Sequence, residues 1–285
     1  MASLDGARRF LLENARVLER RLFATVFDGE PARGVVDALR AYRNDDGGFG
    51  HGLEPDKRCP DSQPLDVEQA LETIEAAGAW DDGLAAGACD FLASIAAPDG
   101  AVSLLTPAVL QYPRASHITE WTLEPGINPT CGLVGLLCAH GVEHPWLARA
   151  TDWCWDALAK GDLGDAHAVK EALRFLEHAP DRARADELAP AVTQALFAAG
   201  WFRADAESPE YGVTPLHVAP TPDSRWHAAF GDDVIAAHLD RLERDQQPDS
   251  GWPITWEPPS RAAELEYRGV ETVRVLRTLR AYGRL

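Results

Sequence analysis

Apolar positions along this chain recur at steps of three and four. Leu4, Ala7, Leu11, Ala15, Leu18, Leu22 and Val26 form one stripe, which predicts a single opening helix over 4–26. The same period predicts helices over 35–43, 64–77, 84–95, 129–140, 145–160, 166–178, 181–199, 232–246 and 260–282. Pro31, Pro64 and Pro145 stand where a first-turn proline belongs, because the first N–H groups of a helix have no acceptor to lose. Gly78, Gly141, Gly161 and Gly200 stand where helices stop. No run alternates with period two. The nearest, over 214–218, is bracketed by Pro215 and Pro220. The pattern predicts an all-α chain.

The turns between these helices repeat. Asn44-Asp45-Asp46-Gly47-Gly48-Phe49 follows the second predicted helix, and Pro248-Asp249-Ser250-Gly251-Trp252 the ninth. Pro98-Asp99-Gly100 and Gly161-Asp162-Leu163-Gly164 are looser copies, and 201–205 is a degenerate one. A tight helix-to-helix turn needs positive φ, which glycine supplies, and a preceding Asp bonds the turn backbone. One helical hairpin per unit, stacked on the next, buries a core that no hairpin buries alone.

Asp46-Gly47-Gly48-Phe49 and Gln246-Gln247-Pro248-Asp249-Ser250-Gly251-Trp252 resemble the Gln-x-x-Asp-Gly-Gly-aromatic turn of the prenyltransferase and squalene-cyclase repeats. The resemblance implies the α/α toroid of terpenoid cyclases and protein prenyltransferases, with inner helices around a cavity and outer helices around them. On that expectation residues 1–285 form one α/α-toroid domain of five to six helical hairpins. The Asp-x-Asp-Asp of class II cyclases and the Asp-Asp-x-x-Asp of class I chemistry are both missing, so the likeness is one of architecture.

A second repeat follows the turns. Glu54-Pro55 and Glu257-Pro258 each come eight residues after a turn aspartate, and Glu124-Pro125 is a displaced third copy. In a toroid all three would hang over one mouth of the cavity. Two readings of these glutamates stand. They cap helices or pair with arginines, with Arg58, Arg261 and Arg268 as candidates. Alternatively they form a carboxylate cluster, in which like charges split the pKa values into an acid and a base. The second reading makes Glu54, Glu257, Asp56 and Glu124 the candidate catalytic groups. His51, Arg58, Trp121, Trp226, Trp256, His217 and Tyr211 are then the candidates for binding substrate. The loop over 50–64 is dense in titratable groups. A plain reading sends Lys57 and Arg58 to solvent and has Asp61 or Ser62 cap the helix that Pro64 begins. Two further irregular stretches, 103–128 and 207–225, are long enough to cover a site.

Charge and cysteine content narrow the partners. Forty-five Asp and Glu against 27 Lys and Arg give a net charge of -18, which repels phosphate backbones and anionic membranes. No nucleic acid and no membrane insertion are expected, and a charged N-terminus with five scattered cysteines fits the cytoplasm. Nine tryptophans suit an apolar small-molecule substrate. No cofactor and no metal site are expected. Zinc would need Cys131, Cys138, His140, His144 and Cys154 to converge, whereas Cys131 and Cys138 are spaced as core residues.

The leading expectation is therefore acid–base chemistry, cyclisation or isomerisation, on an apolar molecule. The alternatives are a carbohydrate-active α/α-barrel hydrolase or lyase with paired carboxylates, and a non-catalytic toroid that binds a ligand or a partner.

Overall fold

Pro64 and Pro145 each open a helix and Gly161 closes one, at φ 78°. In the computed structural model, which describes residues 2–285, the helices are α1 Leu4–Asn14, α2 Val17–Asp28, α3 Arg33–Leu39, α4 Pro64–Ala76, α5 Asp82–Ile95 and α6 Ile127–Ala139. They continue with α7 Pro145–Lys160, α8 Ala166–His178, α9 Arg182–Ala198, α10 Pro215–Val218, α11 Asp232–Arg244 and α12 Arg261–Ala281. Among the described residues there is no strand, only three isolated bridges. The stretch nearest to a strand in pattern is the short α10, closed by a capping box between Thr214 and His217. No described helix is long and apolar enough to cross a membrane.

The opening helix is two helices. Ala15 and Arg16 are extended (ψ 160° and 164°), and the chain restarts at Val17. The apolar stripe runs on through the break, since Ala15, Leu18 and Leu22 are all buried. Tertiary contacts favour the break over continuation. Arg16 turns back to grip Glu19 at 3.0 and 2.5 Å, and Ala15 seats against Gly269 of α12, where a Cβ would come within 2.8 Å.

By its contacts the chain divides into two units: one of the segments up to Ala38 and from Arg203 to Leu285, the other Leu39–Phe202. In the second unit α4, α6 and α8 pack side by side, and α5, α7 and α9 form a second layer over them. Helix α6 is apolar and buried from Pro129 to Leu137, which suits an element covered on all sides. In the first unit α12 packs against α1, α2 and α11.

Three of the predicted turns are one structure. In each, a residue donates to the carbonyl four positions on, and the residue three positions on donates back. The pairs are Asn44 to Gly48 and Gly47 to Asn44, Ala97 to Ala101 and Gly100 to Ala97, Gln247 to Gly251 and Ser250 to Gln247, all at 2.7–3.1 Å. Asp46, Asp99 and Asp249 each accept the N–H two residues on, at 2.9, 3.3 and 3.1 Å. The next residue has positive φ in every case: Gly47 at 87°, Gly100 at 99° and Ser250 at 70°. Threonines of the following helices receive the chain as it leaves two of these turns. Thr130 accepts from Val102 N–H (3.0 Å), and Thr272 from Trp252 N–H (3.1 Å). The other two candidates differ: Gly161 is the left-handed cap of α7, and at 199–202 the N–H of Phe202 returns to Ala199.

Candidate functional site

The loop from Phe49 to α4 is wound around a buried lysine. Lys57 is fully enclosed, and its Nζ lies 2.8 Å from Asp66 Oδ1 and 3.3 Å from Glu54 Oε2. Asp66 also accepts the Glu54 N–H at 2.7 Å. Burial opposes the charge on Lys57, but the facing Asp66 and Glu54 outweigh it and raise its pKa. For Glu54 burial dominates and raises the carboxyl, with Lys57 pulling the other way. Lys57 is thus not a solvent side chain. Two buried acids need a cation, and an amine on a flexible stem reaches both.

The capping expectation at α4 also fails. The N-cap is Gln63, with no side-chain cap bond, and Ser62 instead donates to Asp46 of the preceding turn at 2.8 Å. Proline at the first helical position has no N–H to satisfy, which lowers the demand for a cap.

The loop over 50–64 and the insertion over 103–128 meet. Arg58 N–H donates to Pro113 (2.9 Å) and Ala115 N–H to Asp56 (2.7 Å), with a bridge between Lys57 and Arg114. Cys59, Leu105, Val109 and Ile118 form a small core between them. The pairing brings His117 Nε2 to 3.5 Å from Asp56 Oδ2 and sets His117 beside Trp121, which is 37% exposed.

A second group of charges lies one turn further along α4 and was not foreseen. Glu68 and Glu72 of α4 face Lys170, Glu171 and Arg174 of α8. Arg174 Nη1 is 3.2 Å from Glu68 Oε1 and 3.7 Å from Glu171 Oε2, and its Nη2 holds Glu72. Lys170 Nζ holds Glu171 Oε1 at 2.6 Å. Gly132 of α6 makes the space: a Cβ there would stand 2.1 Å from Glu171 Oε2 and 2.5 Å from Glu68 Oε1. Burial, then the Glu171 and Glu72 charges, raise Glu68 well above the usual carboxylate range. Burial also works against the charge on Glu171, yet Lys170 and Arg174 hold that carboxyl below its ordinary value. The available signal in the sequence was Gly132 with Gly135 on an otherwise apolar helix, a mark of close approach.

The remaining candidates are dispersed. His51 is exposed, at φ 58°, with Nε2 2.8 Å from Asn44 Oδ1, and Arg58 is half-buried. Glu124 is exposed, its N–H on Thr122. In the first unit Glu257 is exposed. There Arg261 pairs with Glu264 and Arg268 with Asp249. Tyr211 and Trp256 do come together, edge to face at 5.4 Å, and Tyr267 extends the set at 4.6 Å from Trp256. Trp226 is buried under Arg225, and His217 caps α10 through Nδ1, 3.0 Å from Thr214 N.

The cysteine and histidine set is not gathered. Cys131 and Cys154 face each other in the core, where burial pushes the Cys154 thiol well up. His140 stacks on Trp80 and reaches Glu75, and His144 caps α7. Among the described residues no three His, Cys, Asp or Glu side chains are placed to hold a metal ion.

No protein-family model matches the chain, and no curated protein matches it. In structure it is similar to two variants of the type II terpene cyclase MstE from Scytonema, each in complex with geranylgeranyl dihydroxybenzoate. One has a TM-score of 0.54 at 15% identity and covers 99% of this chain and 97% of that one. The other has a TM-score of 0.50 at 14% identity and covers 99% and 96%. The fold is that of terpenoid cyclases, an all-α fold of the α/α-toroid class.

Proposed function

We propose that the chain is a terpenoid-cyclase-type enzyme that moves a proton to and from an apolar, prenyl-type small molecule. The observation that carries the proposal is a surplus of carboxyl groups, all but Glu72 buried, over the cations facing them. Lys57 stands between Glu54 and Asp66, with Asp56 beside them, while Lys170 and Arg174 face Glu68, Glu72 and Glu171. An uncompensated charge is expensive in a desolvated site, so a surplus carboxyl keeps its proton. Such a group donates as an acid and accepts as the carboxylate it leaves behind. One proton added to an alkene carbon and one lost from the cyclised cation leave the composition unchanged, which makes the reaction an isomerisation.

Within this proposal Glu54 and Asp56 belong to the acid–base array, joined by Asp66 and Glu68. Glu124 and Glu257 face water, and no proton transfer is placed on them. Trp121, in the same unit as the acid–base array, offers an apolar face to substrate. The fold likeness supports a prenylated ligand, because the MstE structures hold geranylgeranyl dihydroxybenzoate as substrate.

The test is incubation of the protein with geranylgeranyl dihydroxybenzoate and a panel of other polyprenylated compounds in heavy water. The expected product is an isomer of the substrate carrying one deuterium at a carbon. Recovery of every compound unchanged and unlabelled sinks the proposal.

A further inference from the structure

Glu171 is a buried acid with an atom left over. Its residue is 2% exposed, and Oε2 has no hydrogen-bond donor in reach, although Oε1 is held by Lys170. That oxygen points at the place a Gly132 Cβ would fill, and Glu68 Oε1 points at the same place from α4. Glu68 Oε1 receives Arg174 Nη1 at 3.2 Å, but Glu171 Oε2, facing it across a gap without a methyl group, is an acceptor with no donor. A proton on one of them supplies it.

We infer that Glu68 and Glu171 share one proton across the gap left by Gly132, and that Glu68 donates it to the substrate. The donor role rests on the proposed function; the shared proton does not.

Charge balance places the proton. Three carboxyls (Glu68, Glu72, Glu171) face two cations (Lys170, Arg174), so one proton makes the group neutral. Helix α6, packed against both α4 and α8, contributes no charged residue. The closest contact of Lys170 is to Glu171 and that of Arg174 is to Glu72, whereas Glu68 has only the longer 3.2 Å contact to Arg174, so the charge settles on Glu171 and Glu72 and the proton on Glu68. Glu68 and Glu171 are themselves enclosed, and the group reaches solvent through Glu72, Lys170 and Arg174, whose side chains are 39%, 27% and 26% exposed.

On donation the Glu68 O–H bond breaks, and its proton forms a C–H bond with the π pair of the alkene. The cation then stands on the substrate, and the new carboxylate stays beside Arg174. The proton released by the cyclised product returns to Glu68, so neither oxidant nor reductant is consumed.

Two measurements on the intact protein test this. Infrared spectroscopy without substrate at neutral pH is expected to show a protonated-carboxyl component that Glu68→Gln removes and Glu54→Gln leaves in place. In Glu171→Gln, where the facing charge is gone, the same component is expected to titrate away at lower pH. Turnover of geranylgeranyl dihydroxybenzoate in Glu68→Gln is expected to fall by about 10²–10⁴-fold, the usual worth of a general acid. An infrared component unchanged in Glu68→Gln overturns the shared proton. Unchanged turnover in Glu68→Gln overturns the donor role. A wild-type protein that shows the component but converts no prenylated probe overturns the proposed function and the donor role together, while the shared proton stands. Should Glu68→Gln fail to give the native circular dichroism, the titration shift in Glu171→Gln reads the same pair, and its absence overturns it.

Discussion

Arg268 grips Asp249 with both guanidinium nitrogens, at 2.7 and 2.8 Å, from a buried position on α12. Its Nε donates to the carbonyl of Trp252 at 3.0 Å, and the guanidinium lies 4.7 Å over the ring of Phe10. One side chain thus fastens the last repeat turn to the helix after it and to α1. The Asp249 carboxyl is held below its ordinary value chiefly by its hydrogen bond from Arg268. Asp249 is 47% exposed, so the ion pair itself is worth little after screening. The contact to Trp252 and the packing on Phe10 are the larger loss. Arg268→Ala is expected to cost about 2–3 kcal/mol in urea denaturation, and Arg268→Lys to recover less than half, because a lysine cannot hold the turn at two points. Equal stability of Arg268→Ala and wild type would show that the turn holds itself.

Ser250 occupies the left-handed position that Gly47 and Gly100 fill in the sister turns. A non-glycine residue there costs about 1–2 kcal/mol, against about 0.5–1 kcal/mol for the extra unfolded-state freedom of glycine. Ser250→Gly is expected to stabilise by roughly 0.5–1 kcal/mol on those figures. Gly47→Ala is expected to destabilise more strongly, because its Cβ would also stand 2.4 Å from the Gly87 carbonyl oxygen. Thermal melts of the two variants, moving in opposite directions, check the shared geometry.

The acids around Lys57 are not equivalent. Asp66 takes the shorter bond from Lys57 and the Glu54 N–H as well, whereas Glu54 stands 3.3 Å away. Asp66→Asn is expected to cost about 3–5 kcal/mol, the scale of a broken buried pair. Glu54→Gln is expected to cost less than about 2 kcal/mol and to abolish turnover if Glu54 belongs to the acid–base array. The reverse order of stabilities would make Glu54 the structural partner.

Stability should fall as pH rises past the ordinary glutamate range. Burial and like charge raise the folded-state pKa of Glu68, so between the unfolded value of about 4.3 and that raised value the folded protein binds more protons than the unfolded chain. Its contribution is complete below the unfolded value and is lost as pH climbs through the folded one. Glu171, held low, acts in a different window, its contribution being lost as pH drops below the unfolded value. Urea midpoints followed upward from about pH 4 should decline in wild type and decline less in Glu68→Gln. Parallel profiles would contradict the assignment.

Much of the fold was legible along the chain because its signals are local. The stripes of α7 and α8 end where predicted, at Lys160 and His178, since proline, aspartate and glycine chemistry acts within a turn of the residue concerned. The repeat turns were legible for the same reason, five residues closing on themselves. Where a distant partner intervened, the local signal misled. The stripe from Leu4 to Val26 carries no break, and only Gly269 on α12, taking in Ala15, shows why the helix stops at Asn14.

The candidate site was legible only in part. Glu54 and Asp56 drew notice through a repeated Glu-Pro, and they are buried in one network, while Glu124 and Glu257 share the motif and face water. A dipeptide sets backbone direction but not burial, which depends on what packs around it; for Glu54 that includes Lys57 and, from α4, Asp66. Glu68 gave no signal at all. On α4 it reads as one acid among several, and the arginine that meets it is 106 residues away. Periodicity and turn chemistry therefore determined the helices, the repeat and the class of fold, because each depends on neighbours a few residues off. Which carboxyls lose their water, and which two face each other over Gly132, was decided by helix packing, because desolvation and charge coupling depend on distance in space.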